Sequence, residues 1–300
     1  MKKLLLVGLA AFLFLVGIAL LLTLFLASTS GENLSLSLSG KLAVIPIKGE
    51  IGSTDALRDA VSAEHVVEDL EEAETDPSIK GIFLDIDSPG GSVVPTKQIV
   101  YKIREIEKPI VAYVGETGAS GAYYIAAASD YIVADEDSLT GSIGVISLVP
   151  NLEGLLEKIG AKMQVFKEGE NKAFASPFTE MTEEQRAIMQ GLLSDIYNKF
   201  KSDVLSFRKG KIRAKLFNEL ADGRVLSGRQ ALDAGLIDAT GTRKEALKKA
   251  AELAGIEGEP ELVKYGKKEL SLVDFFMEAG NAFGGAFRQS LFADAKISIR

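Results

Sequence analysis

Residues 110–133 read IVAYVGETGASGAYYIAAASDYIV, and the order of residue types in this stretch decides the kind of fold. An apolar run at 110–114 enters a turn holding Gly115, Gly118 and Gly121, small and apolar residues then continue at helical spacing, and a second apolar run closes at 131–133. Strand, turn, helix and strand in that order form a crossover unit whose two strands lie parallel. The order recurs upstream, where residues 81–92, GIFLDIDSPGGS, lead from an apolar run through a Pro-Gly-Gly turn to Ile99, Val100, Ile103 and Ile106 at helical spacing. Working outward, strands are predicted at 42–47, 81–86, 110–114, 131–133, 143–146 and 162–166. Several are continuous apolar runs, which suits strands covered on both faces. Such alternation predicts an α/β fold with a mostly parallel sheet and crossover helices.

The second half changes character. Asn151 before LEGLLEKI and Gly160 after it read as a helix N-cap and a stop. Thr182-Glu183-Glu184-Gln185 has the pattern of a capping box, and Ile188, Leu192, Ile196, Phe200, Val204 and Phe207 keep one apolar stripe behind it to about Arg208. That stripe packs either on its own core or on another subunit. Residues 223–238, GRVLSGRQALDAGLID, read as turn, short helix, glycine stop and strand.

Composition removes several chemistries. The 300 residues include no Cys, which excludes disulfides, thiol catalysis and thiolate metal sites. A single histidine, His65, leaves no two-histidine zinc site, and its polar-flanked helix at 62–74 reads as solvated. A net charge of −8 gives no basic face for nucleic acid. The apolar excess is concentrated in residues 4–27, an uncharged run that spans roughly 36 Å as a helix, enough to cross a bilayer. It is too long for a typical cleaved signal peptide, although Lys2, Lys3 and the small residues 27–30 resemble one. The predicted organisation is a cytoplasmic N-terminus at 1–3, a single-pass membrane anchor in contact with lipid at 4–27, and a Ser/Gly-rich tether or edge strand at 28–40. A domain at 41–241 and a C-terminal helical region at 242–300 then lie on the extracytoplasmic side, by the positive-inside rule. The Phe-rich tail from Leu270 reads as a packed or membrane-surface helix.

Two glycine turns sit at strand ends, where open parallel sheets place ligands. In the second, Ser120 opens the helix AYYIAAAS, so its Oγ lies near N–H groups able to stabilise an oxyanion. Taken alone, Ser120 is as readily a helix cap as a nucleophile, and the order Gly-Ala-Ser-Gly-Ala departs from G-x-S-x-G. A serine nucleophile needs a base, and with His65 poorly placed the option is a lysine made neutral by desolvation. Spacing does not select which one.

Five motifs in order carry a resemblance: DSPGG (87–91), GASGAYYIA (118–126), LTGSIGV (139–145), NKAFASPF (171–178) and GRVLSGRQALDAGLID (223–238). Over residues 41–241 the chain resembles the signal peptide peptidase A family, membrane-anchored serine proteases related to the Clp proteolytic subunit and, in fold, to crotonases. The resemblance implies a Clp protease/crotonase-like fold of repeated β-β-α or βαβ units, preceded here by the N-terminal transmembrane helix. It also implies a Ser-Lys dyad, with Ser120 as nucleophile and Lys172 as general base, Lys167 being the second choice in the same Glu-rich loop. The backbone N–H groups of Gly91 and Gly121 would form the oxyanion hole, and Ser142 would orient the lysine. No metal or other cofactor is implied. The implied substrates are remnant signal peptides or other apolar membrane-proximal peptides, cut by a ring-like homo-oligomer in which a neighbour can complete a site. Ala122, where many members carry glycine, is expected to narrow the adjacent pocket. Rival readings are a stomatin-partner protease of restricted substrate, a non-catalytic membrane scaffold and an acyl-CoA enzyme.

Overall fold

The computed structural model describes residues 40–52 and 60–266. The chain opens with β1 (Lys41–Lys48) and two short strands, β2 (Glu50–Gly52) and β3 (Ala60–Ser62), that pair with each other. Helix α1 (Ala63–Thr75) leads into β4 (Ile79–Ser88), α2 (Val93–Glu105) into β5 (Ile110–Ala119), and α3 (Gly121–Ala127) into β6 (Tyr131–Ala134). After β7 (Leu139–Gly141) come α4 (Glu153–Lys158), the long α5 (Glu183–Phe207) and α6 (Ala214–Leu220). The chain continues through β8 (Val225–Ser227), α7 (Gly228–Ala234), β9 (Ala239–Thr240), α8 (Arg243–Leu253) and β10 (Glu261–Lys264).

The main sheet runs β10-β1-β4-β5-β6-β9, with every neighbouring pair parallel. Strand alternation splits two apolar layers across it. Leu42, Val44, Phe83, Val111 and Val133 meet Ala246, Ala250 and Ala251 of α8 on one face. Ala43, Ile45, Ile47, Ile82, Leu84 and Ile86 face the other way, into the larger core built with α1, α2 and α3. Both strand faces are therefore buried, which is why the sequence shows continuous apolar runs. At about 1.5–3 kcal/mol per fully buried Ile, Leu or Phe, these layers supply the main favourable contribution to folding.

The mostly parallel sheet with crossover helices is as predicted, and four of the six predicted strands fall on β1, β4, β5 and β6. Two do not form. At 143–146 the chain has already left the sheet, because Gly141 and Ser142 take φ of 73° and 51° and turn it away after β7. Residues 162–166 are exposed and form no strand. Helix α4 begins with Leu152 as its N-cap residue, while Asn151 Oδ1 accepts from Glu153 N at 3.0 Å, and Gly160 stops it with φ 70°. The capping box at Thr182 forms, and a second one caps α7 through Ser227 and Gln230.

Beyond residue 241, α8 covers one face of the sheet and β10 extends it beside β1. The predicted anchor at 4–27 and the tail from Leu270 lie outside the described residues. Among those residues no helix is long and apolar enough to cross a membrane.

One buried ion pair locks the far end of α5. Arg208 donates to Asp238 Oδ2 at 2.7 Å and to the Gly235 carbonyl at 3.2 Å. Lys211 pairs with the other oxygen of Asp238 at 2.7 Å, and Ile132 N donates to Oδ2 at 2.9 Å. Burial pushes the Asp238 carboxyl up, but the hydrogen bonds from Arg208 and Lys211 outweigh it and hold the group below the usual carboxylate range.

Candidate active site

β5 changes neighbours along its length. Val111 to Val114 pair with β6, whereas Thr117 to Ala119 pair with β7, so the strand end exchanges β6 for β7 on that side while Gly118 keeps its pairing with Ser88 of β4. Ser120 comes directly after it. Its N–H donates to the Gly141 carbonyl at 2.9 Å, ending the β5–β7 ladder, and its own carbonyl accepts from Tyr124 N at 3.0 Å, starting α3. Held between two structures, Ser120 adopts φ 53° and ψ −121°, a conformation that costs a non-glycine residue about 1–3 kcal/mol. Its side chain caps no helix N–H. Strain without a capping role separates Ser120 from an ordinary helix start.

Three backbone turns touch around it. Ile51 N donates to the Gly90 carbonyl and Ser92 N to the Ile51 carbonyl, each at 2.8 Å, so β2 clamps the Pro-Gly-Gly turn. A Cβ on Gly91 would lie 2.1 Å from the Ile51 oxygen, so only glycine fits there. A Cβ on Gly121 would lie 2.6 Å from Thr96 Oγ1 and 3.4 Å from Gly91 N, which brings the Gly91 and Gly121 backbones close together beside Ser120. Thr96 Oγ1 is itself anchored to the Ser92 carbonyl at 2.9 Å. The backbones of Gly91, ahead of α2, and Gly121, at the start of α3, thus meet beside Ser120.

A cavity of about 890 Å³ opens over this point, and Gly91, Ser120, Gly121 and Ser142 all line it. Ser142, with φ 51°, is fixed by its N–H on the Arg224 carbonyl at 2.9 Å and its Oγ on the Gly223 carbonyl at 3.3 Å. Four of the five residues expected in the site are therefore brought together.

Lys172 is not among the residues lining the cavity. It is exposed in a turn at 170–175, and Lys167, in the same loop, donates to the Glu170 carbonyl at 2.6 Å. The lysines that do line the cavity are Lys97 and Lys199. Lys199 donates to Asp203 Oδ1 at 2.6 Å, and this hydrogen bond raises its pKa, which keeps it an ammonium. Lys108 is the described lysine that burial pushes down, but it serves the Ala73 and Asp76 carbonyls at the end of α1 and is not part of the cavity.

Ala122 is fully buried in the core and is not among the residues lining the cavity. The far wall comes from one face of α5, with Gln190, Leu193, Tyr197 and Phe200, and from Tyr124 of α3. Sequence reasoning missed this wall. Its i, i+3, i+7 spacing is readable, but nothing in the spacing says that the face meets α3.

A strained serine at the head of a helix, beside two glycine turns on a crossover sheet, is an arrangement that suits a serine hydrolase. The Clp protease family model matches residues 48–133, and that of peptidase family S49 matches residues 102–257. The chain belongs to peptidase family S49 and is a serine peptidase. It is 34% identical to a protein of Methanocaldococcus jannaschii that bears a protease name, over all of this chain and 98% of that one. A protein of Enterococcus faecium named as signal peptide peptidase SppA is 35% identical over 69% of this chain, which spans 61% of that relative's length. In fold it is similar to a mutant of a membrane-bound stomatin-specific protease, with a TM-score of 0.50 at 18% identity, covering 77% of this chain and 99% of the other.

Proposed function

We propose that this chain is a membrane-anchored serine endopeptidase in which Ser120 attacks the peptide carbonyl and Lys172, supplied by a neighbouring copy, is the general base. The observation that carries the reading is Ser120 itself, strained at the head of α3 with the Gly91 and Gly121 N–H groups beside it.

The need for a neighbour comes from residues 144–199, none of which is buried. Within them Phe166, Leu148 and Ile146 are 91%, 86% and 81% exposed. The segment is tied to itself by Leu152 N on the Pro177 carbonyl at 2.7 Å and Glu180 N on Glu153 Oε2 at 2.9 Å. A self-bonded arm with that much bare apolar surface is expected to be covered by another subunit, and Lys172 lies on it.

In the assembled site Lys172 acts as the general base. It takes the Ser120 proton as Oγ bonds to the substrate carbon, and the Gly91 and Gly121 N–H groups hold the resulting oxyanion. The lysine then passes that proton to the departing amine. Water, deprotonated by the same lysine, hydrolyses the acyl-enzyme and restores Ser120. Ser142 orients the lysine from the cavity wall. The apolar run at 4–27 would hold the domain beside the bilayer on its extracytoplasmic side, where remnant signal peptides and other apolar segments are the substrates.

Peptide hydrolysis against pH tests the reading, using the full chain on apolar signal-like peptides. Activity is expected to rise as a base loses its proton and to vanish in both Ser120→Ala and Lys172→Ala with folding retained. A fully active Lys172→Ala protein would transfer the base role to another lysine, Lys167 first.

A further inference from the structure

Among the described residues two buried side chains carry charge, Asp203 and Arg208. Arg208 is explained by its pair with Asp238. Asp203 stands behind the cavity wall, and its two oxygens take donors from two different elements. Lys199 Nζ of α5 donates to Oδ1 at 2.6 Å, and the Tyr124 hydroxyl of α3 donates to Oδ2. Both donors line the cavity, and Asp203 does not.

Tyr124 lies one turn after Ser120, joined to it by the hydrogen bond from Tyr124 N to the Ser120 carbonyl. Ser120 and Tyr124 both line the cavity, so the Tyr124 ring borders the same space as the atom that would be acylated. The ring is held at both ends. Its face stacks on Phe200, with centroids 4.5 Å apart and planes at 27°, and its hydroxyl is pinned to Asp203. Burial, together with the bond to Asp203, pushes the phenol up, so it stays a neutral donor.

We infer that Asp203 is a positioning residue that sets side-chain selectivity, by fixing the Tyr124 ring as the end wall of the pocket that receives the substrate side chain on the acyl side of the scissile bond. The inference rests on Ser120 being the nucleophile. If the ring swung away, a buried carboxylate would lose one of its two donors, so the wall is stiff and the pocket short. Lys199 pairs with the other oxygen of Asp203, so both oxygens of the carboxylate are held. The substrates favoured are those with a small side chain at that position.

The test labels the full chain with peptidyl phosphonates ending in Ala or Phe and reads the ratio of the two labelling rates at Ser120. Tyr124→Ala and Asp203→Ala are each expected to raise the Phe-to-Ala ratio about 10-fold over wild type. Tyr124→Phe keeps the ring and loses the pin, and is expected to raise it about 3-fold. The double variant Asp203→Asn, Lys199→Met retains an acceptor for the hydroxyl and is expected to bring the ratio back to within about 3-fold of wild type, a rescue that a general loss of stability would not give. A ratio unchanged in Tyr124→Ala and Tyr124→Phe, with labelling still dependent on Ser120, overturns the inference alone. Labelling that survives Ser120→Ala overturns it together with the reading of the nucleophile.

Discussion

The conformation of Ser120 is imposed by its two neighbours in the backbone, the end of the β5–β7 ladder and the first turn of α3. Its geometry should therefore survive loss of the hydroxyl, and Ser120→Ala is expected to keep its melting temperature while losing peptide hydrolysis. Gly121→Ala tests the oxyanion hole separately. Its Cβ would press on Thr96 Oγ1 at 2.6 Å and shift the turn, so kcat should fall about 10²- to 10³-fold with KM little changed. An unaltered kcat would remove Gly121 from the chemistry. Away from the site, Asp238 makes a prediction about acid. Its carboxyl is held below its unfolded value, so it binds fewer protons folded than unfolded. The stability it confers is complete at neutral pH and is lost as the pH falls through and below the ordinary carboxylate range. Asp238→Asn should cost about 3–5 kcal/mol at pH 7, because Arg208 is left buried without its partner, and should flatten the acid limb of a urea-melt series against pH. An equal acid limb in wild type and variant would refute that assignment.

At the scale of elements, the division of β5 between two partners is what turns a sheet strand into a platform for a nucleophile. The sequence announces the strand and the turn, since 110–114 is apolar and Gly115, Gly118 and Gly121 come after it. It does not announce the change of partner, because β7 is only three residues long and its second neighbour, β8, lies more than eighty residues on. The motif residues Gly91, Ser120, Gly121 and Ser142 were legible, and they meet. The cavity wall from α5 was not, and neither was Asp203, since hydrophobic periodicity cannot reveal a charged residue that works from behind the wall. The stripe on α5 is also divided in its use. Ile188 and Leu192 are exposed, whereas Phe200 and Val204 are buried against the core. The two readings of that stripe, own core and another subunit, each suit one half. The apolar surface of the arm gives a direct prediction. Replacing Leu148 and Phe166 by Asp should shift the protein to smaller species in sedimentation velocity and lower activity at least 10-fold, with the far-UV circular dichroism spectrum unchanged. A double variant that assembles as wild type would mean that the arm covers something else.

At the scale of the whole molecule, a crossover sheet presents Ser120, while the arm that carries Lys172 has no buried residue between 144 and 199. A site shared across a head-to-tail interface repeats around a closed ring, each copy giving a lysine to one neighbour and taking one from the other. Apolar peptides would reach such sites from the bilayer if residues 4–27 anchor every copy. Deleting that run should move the protein from the membrane pellet to the supernatant while Ser120 still reacts with a fluorophosphonate. The central claim is the shared dyad, and mixing two inactive variants tests it most directly. When Ser120→Ala and Lys172→Ala chains are unfolded, combined in equal amounts and refolded together, random assortment should restore about one quarter of wild-type peptidase activity. A mixture as inactive as either variant alone, in assemblies shown to contain both chains, would contradict the account.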